Sequence, residues 1–252
     1  MMRSLSGLTA LPSIFICCLA GCSPQDEPAD ESVDEAALAG AADGAYTYFR
    51  VTADLRKCAS PLCGGWFVNR LNRPTTQCHD GRNAATCYAP VLDWSETRVS
   101  EDDKAQLLDA SRQDALSAGV HAIARGRFAP TNSTPRPELG RFVITEAWVA
   151  EGTGVASGVF VKVKDNGRRC PAAPCPSLTE QTLNTPRSAA IAAIDWTPAG
   201  MSDDQIAQFI RLLHTPDGVI VAGDRYLVHE HGRTAETRTA TAAYARLADA
   251  AP

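Results

Sequence analysis

No apolar run in this chain is long enough to cross a bilayer. The longest, Leu8–Leu19, has 12 residues, whereas a spanning helix needs about 20. A basic excess is also missing. The 24 Lys plus Arg stand against 29 Asp plus Glu, a formal net charge of −5, so there is no electrostatic footprint for nucleic acid and no such partner is expected. The sequence contains no Gly-x-Ser-x-Gly elbow, Ser-x-x-Lys, His-Glu-x-x-His, Walker loop or Gly-x-Gly-x-x-Gly, the signatures that accompany many hydrolases, nucleotide-binding proteins and dinucleotide enzymes. A redox-active Cys-x-x-Cys is absent as well, and no cofactor is implied. The bulk composition, 44% hydrophobic and 21% charged over 252 residues, suits a folded chain with one large core or two small ones.

What is present begins with an address. Arg3 is the only charge before Asp26, and the 12-residue apolar run Leu8–Leu19 falls within the roughly 7–15 residues of a signal-peptide core. Leu19-Ala20-Gly21-Cys22 follows at once and resembles the bacterial lipobox. That resemblance implies removal of residues 1–21, diacylglycerol on the Cys22 thiol and acylation of the new amino terminus. Two or three acyl chains, at about 0.8 kcal/mol per buried CH₂, anchor a protein stably where one chain does not. The membrane is therefore an expected partner through the lipid on Cys22. An Asp after the lipidated Cys retains lipoproteins in the inner membrane of enterobacteria. Ser23 at that place points to the outer membrane.

Residues 22–45 read as a tether. Between Ser23 and Ala45 there are seven acidic residues and no Lys, Arg or aromatic residue. Such a segment cannot bury enough apolar surface to offset its ordering entropy, and its like charges extend it.

The body shows internal self-similarity. Leu92-Asp93-Trp94 matches Ile194-Asp195-Trp196, and Ser100-Glu101-Asp102 matches Ser202-Asp203-Asp204, both 102 residues on. Phe49-Arg50-Val51-Thr52 aligns with Phe142-Val143-Ile144-Thr145, and Gly65–Val68 with Gly158–Val161, 93 residues on. The expected fold is α+β: two tandem strand-strand-strand-helix-strand pseudo-repeats with mainly antiparallel sheets, stapled by disulfides. The repeats span residues 46–129 and 141–230, with a Pro-rich joint at 130–140 and a C-terminal tail at 231–252. Ser100 and Ser202 are natural helix N-caps, Ser202 with Gln205 forming a capping box. In the second helix Ile206, Phe209, Ile210 and Leu213 fall on one face at i, i+3, i+4 and i+7.

Of nine cysteines, Cys17 and Cys18 leave with the signal peptide and Cys22 takes lipid. Six remain: Cys58, Cys63, Cys78, Cys87, Cys170 and Cys175. An even number in an exported chain reads as three disulfides whose connectivity sequence alone leaves open. Spacing favours Cys58–Cys63, Cys78–Cys87 and Cys170–Cys175. Zinc held by Cys78, His79 and Cys87 is the rival, disfavoured by an oxidising compartment, and no metal site is expected. Asp93 and Asp195 sit where an Asp accepts turn N–H groups rather than where a catalyst is built. His229 and His231 share one face of a strand near its end, and their role is open. No catalytic residue is assigned.

Tyr48-Phe49-Arg50-Val51-Thr52, Lys57-Cys58-Ala59-Ser60-Pro61-Leu62-Cys63-Gly64-Gly65-Trp66-Phe67-Val68 and Leu92-Asp93-Trp94-Ser95 resemble an uncharacterised lipoprotein domain family of myxobacteria and related bacteria. The resemblance covers residues 46–230 and implies lineage, without an activity. The expected function is that of a cell-envelope lipoprotein, a non-enzymatic binding or structural module engaging an envelope protein or glycan. The alternative is an envelope hydrolase with its site between the two repeats.

Overall fold

A computed structural model describes residues 47–131, 136–230 and 232–248. The signal segment, Cys22, the tether, residues 132–135 of the joint and His231 lie outside the described residues. In chain order the elements are β1 (Thr47–Ala53), β2 (Trp66–Arg70), β3 (Thr76–Gln77), β4 (Asn83–Ala84), β5 (Cys87–Ala89), β6 (Leu92–Asp93), α1 (Glu101–Leu116), β7 (Ala122–Ala129), β8 (Arg141–Glu151), β9 (Val159–Asp165), β10 (Leu178–Thr182), β11 (Ser188–Ile191), β12 (Ala193–Asp195), α2 (Asp203–Leu212), β13 (Val219–Gly223), β14 (Arg225–Glu230), β15 (Arg233–Thr239) and β16 (Ala242–Arg246). The fold is a mostly antiparallel sheet with two helices and three disulfides.

Both helices start where the sequence places their caps. The Ser100 hydroxyl accepts from the Asp103 N–H, and the Ser202 and Gln205 side chains complete a capping box. On α2 Phe209 and Leu213 are buried, whereas Ile210 is 47% exposed. The apolar stripe is therefore narrower than its spacing implies. The third expected strand of each half is broken in two. Pro90, which has no N–H to donate, separates β5 from β6. The Ala192 N–H leaves the ladder to donate to Glu236 O at 2.7 Å, between β11 and β12.

The main sheet runs β11-β10-β9-β13-β16-β8-β7-β1-β2-β5, with β6 lying parallel to β8. Alternation of side chains along each strand divides its two faces. One face carries Phe49, Val51, Ala122, Ala124 and Ala147 beneath Leu107 of α1, and Val161, Val163, Val219 and Val221 beneath Phe209 of α2. The opposite face carries a third cluster: Ile123, Trp148, Phe160, Ile220, Ala222, Ala242 and Tyr244, with Leu71 and Leu183 from the turns after β2 and β10. Those turns join strands that lie far apart in the ladder. The Asn72 amide donates to Phe160 O at 2.7 Å and Leu183 O at 3.1 Å and accepts from Phe160 N at 2.9 Å. Asn184 accepts from Tyr48 N at 2.8 Å and donates to Tyr48 O at 2.7 Å and Leu71 O at 2.9 Å. Both asparagines are left-handed, with φ of +56° and +61°, a conformation Asn tolerates better than most residues. The six strands from β1 to β9 thus roll about the third cluster, and two asparagines clasp the roll.

The two clasps follow a wider regularity. β9 lies between β10 and β13 as β1 lies between β2 and β7, with matching registers: Phe49 opposite Arg70 and Ala124, Val161 opposite Thr182 and Val221. Cys58–Cys63 recurs 112 residues on as Cys170–Cys175, and Asn72 recurs at that interval as Asn184. A Cβ added to Gly126 would lie 2.4 Å from Val143 O, and one added to Gly223 would lie 1.7 Å from Thr239 O. Glycine is needed at both places because the backbone of the neighbouring strand crosses there.

The sequence partition at 129 and 141 does not follow these ladders. It equates β1 with β8, yet β8 lies between β7 and β16 and touches neither β9 nor β13 in the ladder. The two spans 46–129 and 141–230 therefore differ in strand order, and the match at an interval of 93 joins strands that are not equivalent. Two further elements depart from the reading. Residues 233–246, taken as tail, form β15 and β16, and β16 is a central strand. The Cys170–Cys175 loop leads into a strand, β10, that alternation did not show. Both β10 (Leu-Thr-Glu-Gln-Thr) and β15 (Arg-Thr-Ala-Glu-Thr-Arg-Thr) look solvated, but Glu180 and Arg238 are 3% and 0% exposed. They neutralise one another, with Arg238 Nε and Nη2 donating to the two Glu180 oxygens at 2.6 and 2.8 Å.

Candidate functional site

The rolled sheet opens into a cavity of about 520 Å³, within the range of small-ligand sites. It is lined by Thr47, Tyr48, Arg125, Glu146, Lys162, Gln181, Asn184, Thr185 and Pro186. Strand alternation aims the charged groups inward. Tyr48 on β1, Arg125 on β7, Glu146 on β8 and Lys162 on β9 all leave the sheet on the face away from the helices. Glu146 is the hub. It accepts from Tyr48 Oη at 3.0 Å, Arg125 Nη1 at 3.1 Å and Trp148 Nε1 at 3.2 Å. The Lys162 ammonium stands 3.8 Å from it, beyond hydrogen-bond reach, and 5.1 Å over the Trp148 ring. The side chains of Glu146, Lys162 and Arg125 are 14%, 23% and 38% exposed, so the site deepens from Arg125 toward Glu146.

The electrostatics follow from this placement. Burial pushes the Tyr48 phenol above its ordinary range, and the Glu146 charge reinforces the shift. Burial lowers the Lys162 pKa, opposed by the same carboxylate. One acid between two bases leaves the pocket with a net positive charge.

The positions of this cluster have counterparts under the ladder equivalence. Tyr48, Arg125 and Glu146 correspond to Phe160, Ala222 and Ala242, since Phe160 pairs with Ala222, and Ala222 with Ala242, as Tyr48 pairs with Arg125 and Arg125 with Glu146. The bulge hydroxyls correspond as well: Thr145 Oγ1 and Thr241 Oγ1 each donate at 3.1 Å to the carbonyls of Arg125 and Ala222. Phe160, Ala222 and Ala242 thus stand at register positions that match those of Tyr48, Arg125 and Glu146. Burying charged groups carries a desolvation cost.

A second polar cluster lies at the end of α1. The Asp114 carboxylate accepts from His121 N at 2.7 Å and Ala122 N at 3.3 Å, and lies 2.6 Å from His121 Nδ1 and 3.5 Å from Arg50 Nε. Burial raises the Asp114 pKa, against the lowering effects of His121 and Arg50. These bonds tie the helix end to β1 and β7, a structural role.

The residues singled out by sequence fall elsewhere. Cys58–Cys63, Cys78–Cys87 and Cys170–Cys175 are disulfides, with Cα separations of 5.7, 5.3 and 5.6 Å. Each staples a loop, and none lines the cavity. Cys78 and Cys87 are bonded to each other and so do not supply thiolates to zinc. Asp93 and Asp195 accept turn N–H groups from Ser95 and Thr197 at 2.9 and 3.0 Å. Trp94 and Trp196 pack under α1 and α2. His229 Nδ1 lies 2.8 Å from Thr234 Oγ1 on the exposed β14–β15 hairpin. The signal for the cavity was available in outline, as single charges set within apolar strands: Glu146 in Val-Ile-Thr-Glu-Ala-Trp and Lys162 in Val-Phe-Val-Lys-Val.

Residues 47–250 match the family described as Domain of unknown function (DUF6748). The chain belongs to that family. No curated protein and no solved structure matches it. The family's domain thus covers the whole rolled sheet, including the two C-terminal strands, and leaves residues 1–46 outside.

Proposed function

We propose that this DUF6748 protein is a lipid-anchored envelope protein whose domain is a non-enzymatic binding module, with the Glu146 cavity as its binding site. The observation that carries the reading is the polar trio Tyr48, Arg125 and Glu146, held where the equivalent half of the fold has Phe160, Ala222 and Ala242. The domain is a tandem duplication with units at residues 47–151 and 159–247. The cavity draws Tyr48, Arg125 and Glu146 from the first unit and Lys162, Gln181 and Asn184 from the second. A site shared between units is where the hydrolase alternative would also lie. However, the lining hydroxyl bonded to a carboxylate is the Tyr48 phenol, and burial beside Glu146 raises its pKa, away from the phenolate a nucleophile would need, which favours binding. Lipid on Cys22 and the acidic tether hold the module off the membrane, and Ser23 favours the outer one. Envelope proteins or glycans are the partners in reach.

The anchor is tested by Cys22→Ala, which leaves an unprocessed precursor without acyl label; a labelled, membrane-bound variant would end the lipoprotein reading. The module is tested by Glu146→Ala with Arg125→Ala. This pair copies the other half, so the melting temperature is retained within a few degrees while retention of an envelope glycan or peptide fraction by the purified protein is lost. Equal retention by both proteins would remove the cavity from the function.

A further inference from the structure

Lys162 differs from Glu146, Tyr48, Trp148 and Asn184 in how its polar atoms are spent. Glu146 has three donors within hydrogen-bond distance, Tyr48 and Trp148 each donate to it, and the Asn184 amide is used up by the Tyr48 and Leu71 backbone. The Lys162 side chain is about three-quarters buried, and the nearest carboxylate to its ammonium among the described residues is the one at 3.8 Å. An ammonium carries three N–H donors. Its cavity-facing side therefore offers positive charge and unspent donors at reduced water contact, where an anion is held more strongly than at the surface. The apolar Trp148 ring beneath it fixes the ammonium's position. Beside it, opposite Lys162 in the β9–β10 register, stands Gln181, an exposed residue of β10 whose amide both donates and accepts. Thr185 and Pro186 complete that wall. The lining thus offers a cation at depth and neutral polar groups at the mouth.

We propose that the cavity binds a small hydroxylated carboxylate of uronic-acid type. Its carboxylate meets Lys162, and its hydroxyls meet Gln181 and the polar mouth. This deepens, and rests on, the reading of the domain as a binding module. Glu146 acts as a positioning residue: it holds Arg125 and Tyr48 in place and leaves the surplus positive charge on the Lys162 side. A phosphate dianion suits the site less well, because Glu146 repels the second negative charge. A cationic amino sugar would face Lys162 directly.

Titration calorimetry of the full chain in detergent, with glucuronate, glucose, glucosamine and acetate as separate probes, tests the assignment. Glucuronate is expected to bind at least tenfold more tightly than glucose or glucosamine, and more tightly than acetate, which lacks the hydroxyls. Its affinity is expected to fall as salt rises, as an ion contact requires. Lys162→Met keeps the aliphatic stem and should lose the preference for glucuronate over glucose, whereas Lys162→Arg should restore it. Each variant is checked for an unchanged melting transition. If Lys162→Met does not fold, the salt dependence and ligand order of the unaltered protein decide alone. Glucose binding as well as glucuronate overturns the carboxylate assignment while leaving the binding module intact. Silence from all four probes also overturns it. Conversion of a probe to product, detected by chromatography of the cell contents, sinks the non-enzymatic reading instead and leaves the recognition chemistry standing.

Discussion

Replacing the buried pair Glu180 and Arg238 by the residues at the matching ladder positions tests the proposed internal duplication directly. Under the ladder registers, Glu180 corresponds to Val68 and Arg238 to Phe142. Val68 and Phe142 share one apolar cluster, and Phe142 packs edge-on against Phe49 and Phe128 at 4.9 and 5.5 Å. Glu180→Val alone leaves Arg238, which is 0% exposed, without its carboxylate. Arg238→Phe alone strands Glu180 with only the Arg225 guanidinium at 3.3 Å. Breaking a buried pair from one side costs about 3–5 kcal/mol, so the two single costs together come to about 6–10 kcal/mol. The double variant strands no charge, because Arg225 keeps Glu236 at 2.6 Å, and a well-packed apolar substitute is often neutral or better. One penalty remains. Arg238 Nη1 also donates to Gly223 O, and a buried carbonyl without its donor costs about 1–3 kcal/mol. The double variant is therefore expected within about 3 kcal/mol of the unaltered protein, with a coupling of at least about 3 kcal/mol between the sites. Urea unfolding followed by far-ultraviolet circular dichroism measures all four proteins. Additive losses, with the double variant near 6 kcal/mol or worse, would show that the two sites are not equivalent and would refute the register argument.

Phe209→Ala should destabilise by about 3–5 kcal/mol, since the ring is fully buried and packs on Trp196 at 5.8 Å between centroids; a loss under about 1 kcal/mol in the same unfolding assay would mean that α2 is not docked on the sheet. Asn184→Gly and Asn184→Ala both lose the clasp to β1, but Ala must also occupy a left-handed backbone, so it should melt lower than Gly by an amount worth about 1 kcal/mol; equal melting points would remove the conformational part of the argument. Asp114 has a raised folded pKa, so the folded chain holds that proton more tightly than the unfolded chain, whose value lies near 3.8. Its contribution is fully present below 3.8 and is lost as pH rises through the folded pKa. The stability difference between the unaltered protein and Asp114→Asn should consequently move in favour of the unaltered protein as pH falls from 7 to 3, and movement the other way would contradict the burial of that carboxyl.

Local chemistry was legible in the sequence wherever it is settled by neighbours along the chain. Serine caps at Ser100 and Ser202, the turn roles of Asp93 and Asp195, and the loop-closing cysteine pairs all depend on residues within ten positions of one another, and the residues themselves named them. Charges at Glu146 and Lys162 were visible as interruptions of apolar strands. Their meeting was not, because five strands from distant parts of the chain supply the cavity and only the order of the ladder brings β9 across the roll from β1. The same cause explains why the match at an interval of 93 joins strands with different neighbours. Strands of similar composition can be aligned at more than one interval, and only the ladder shows which strand lies between which neighbours. Burial of Glu180 and Arg238 was hidden for a related reason: an ion pair closed in tertiary structure looks, residue by residue, like a polar surface. Sequence determined the caps, the turns and the staples through short-range hydrogen bonding and loop closure, whereas long-range strand pairing alone decided which strands are neighbours, which charges are buried and where a ligand could enter.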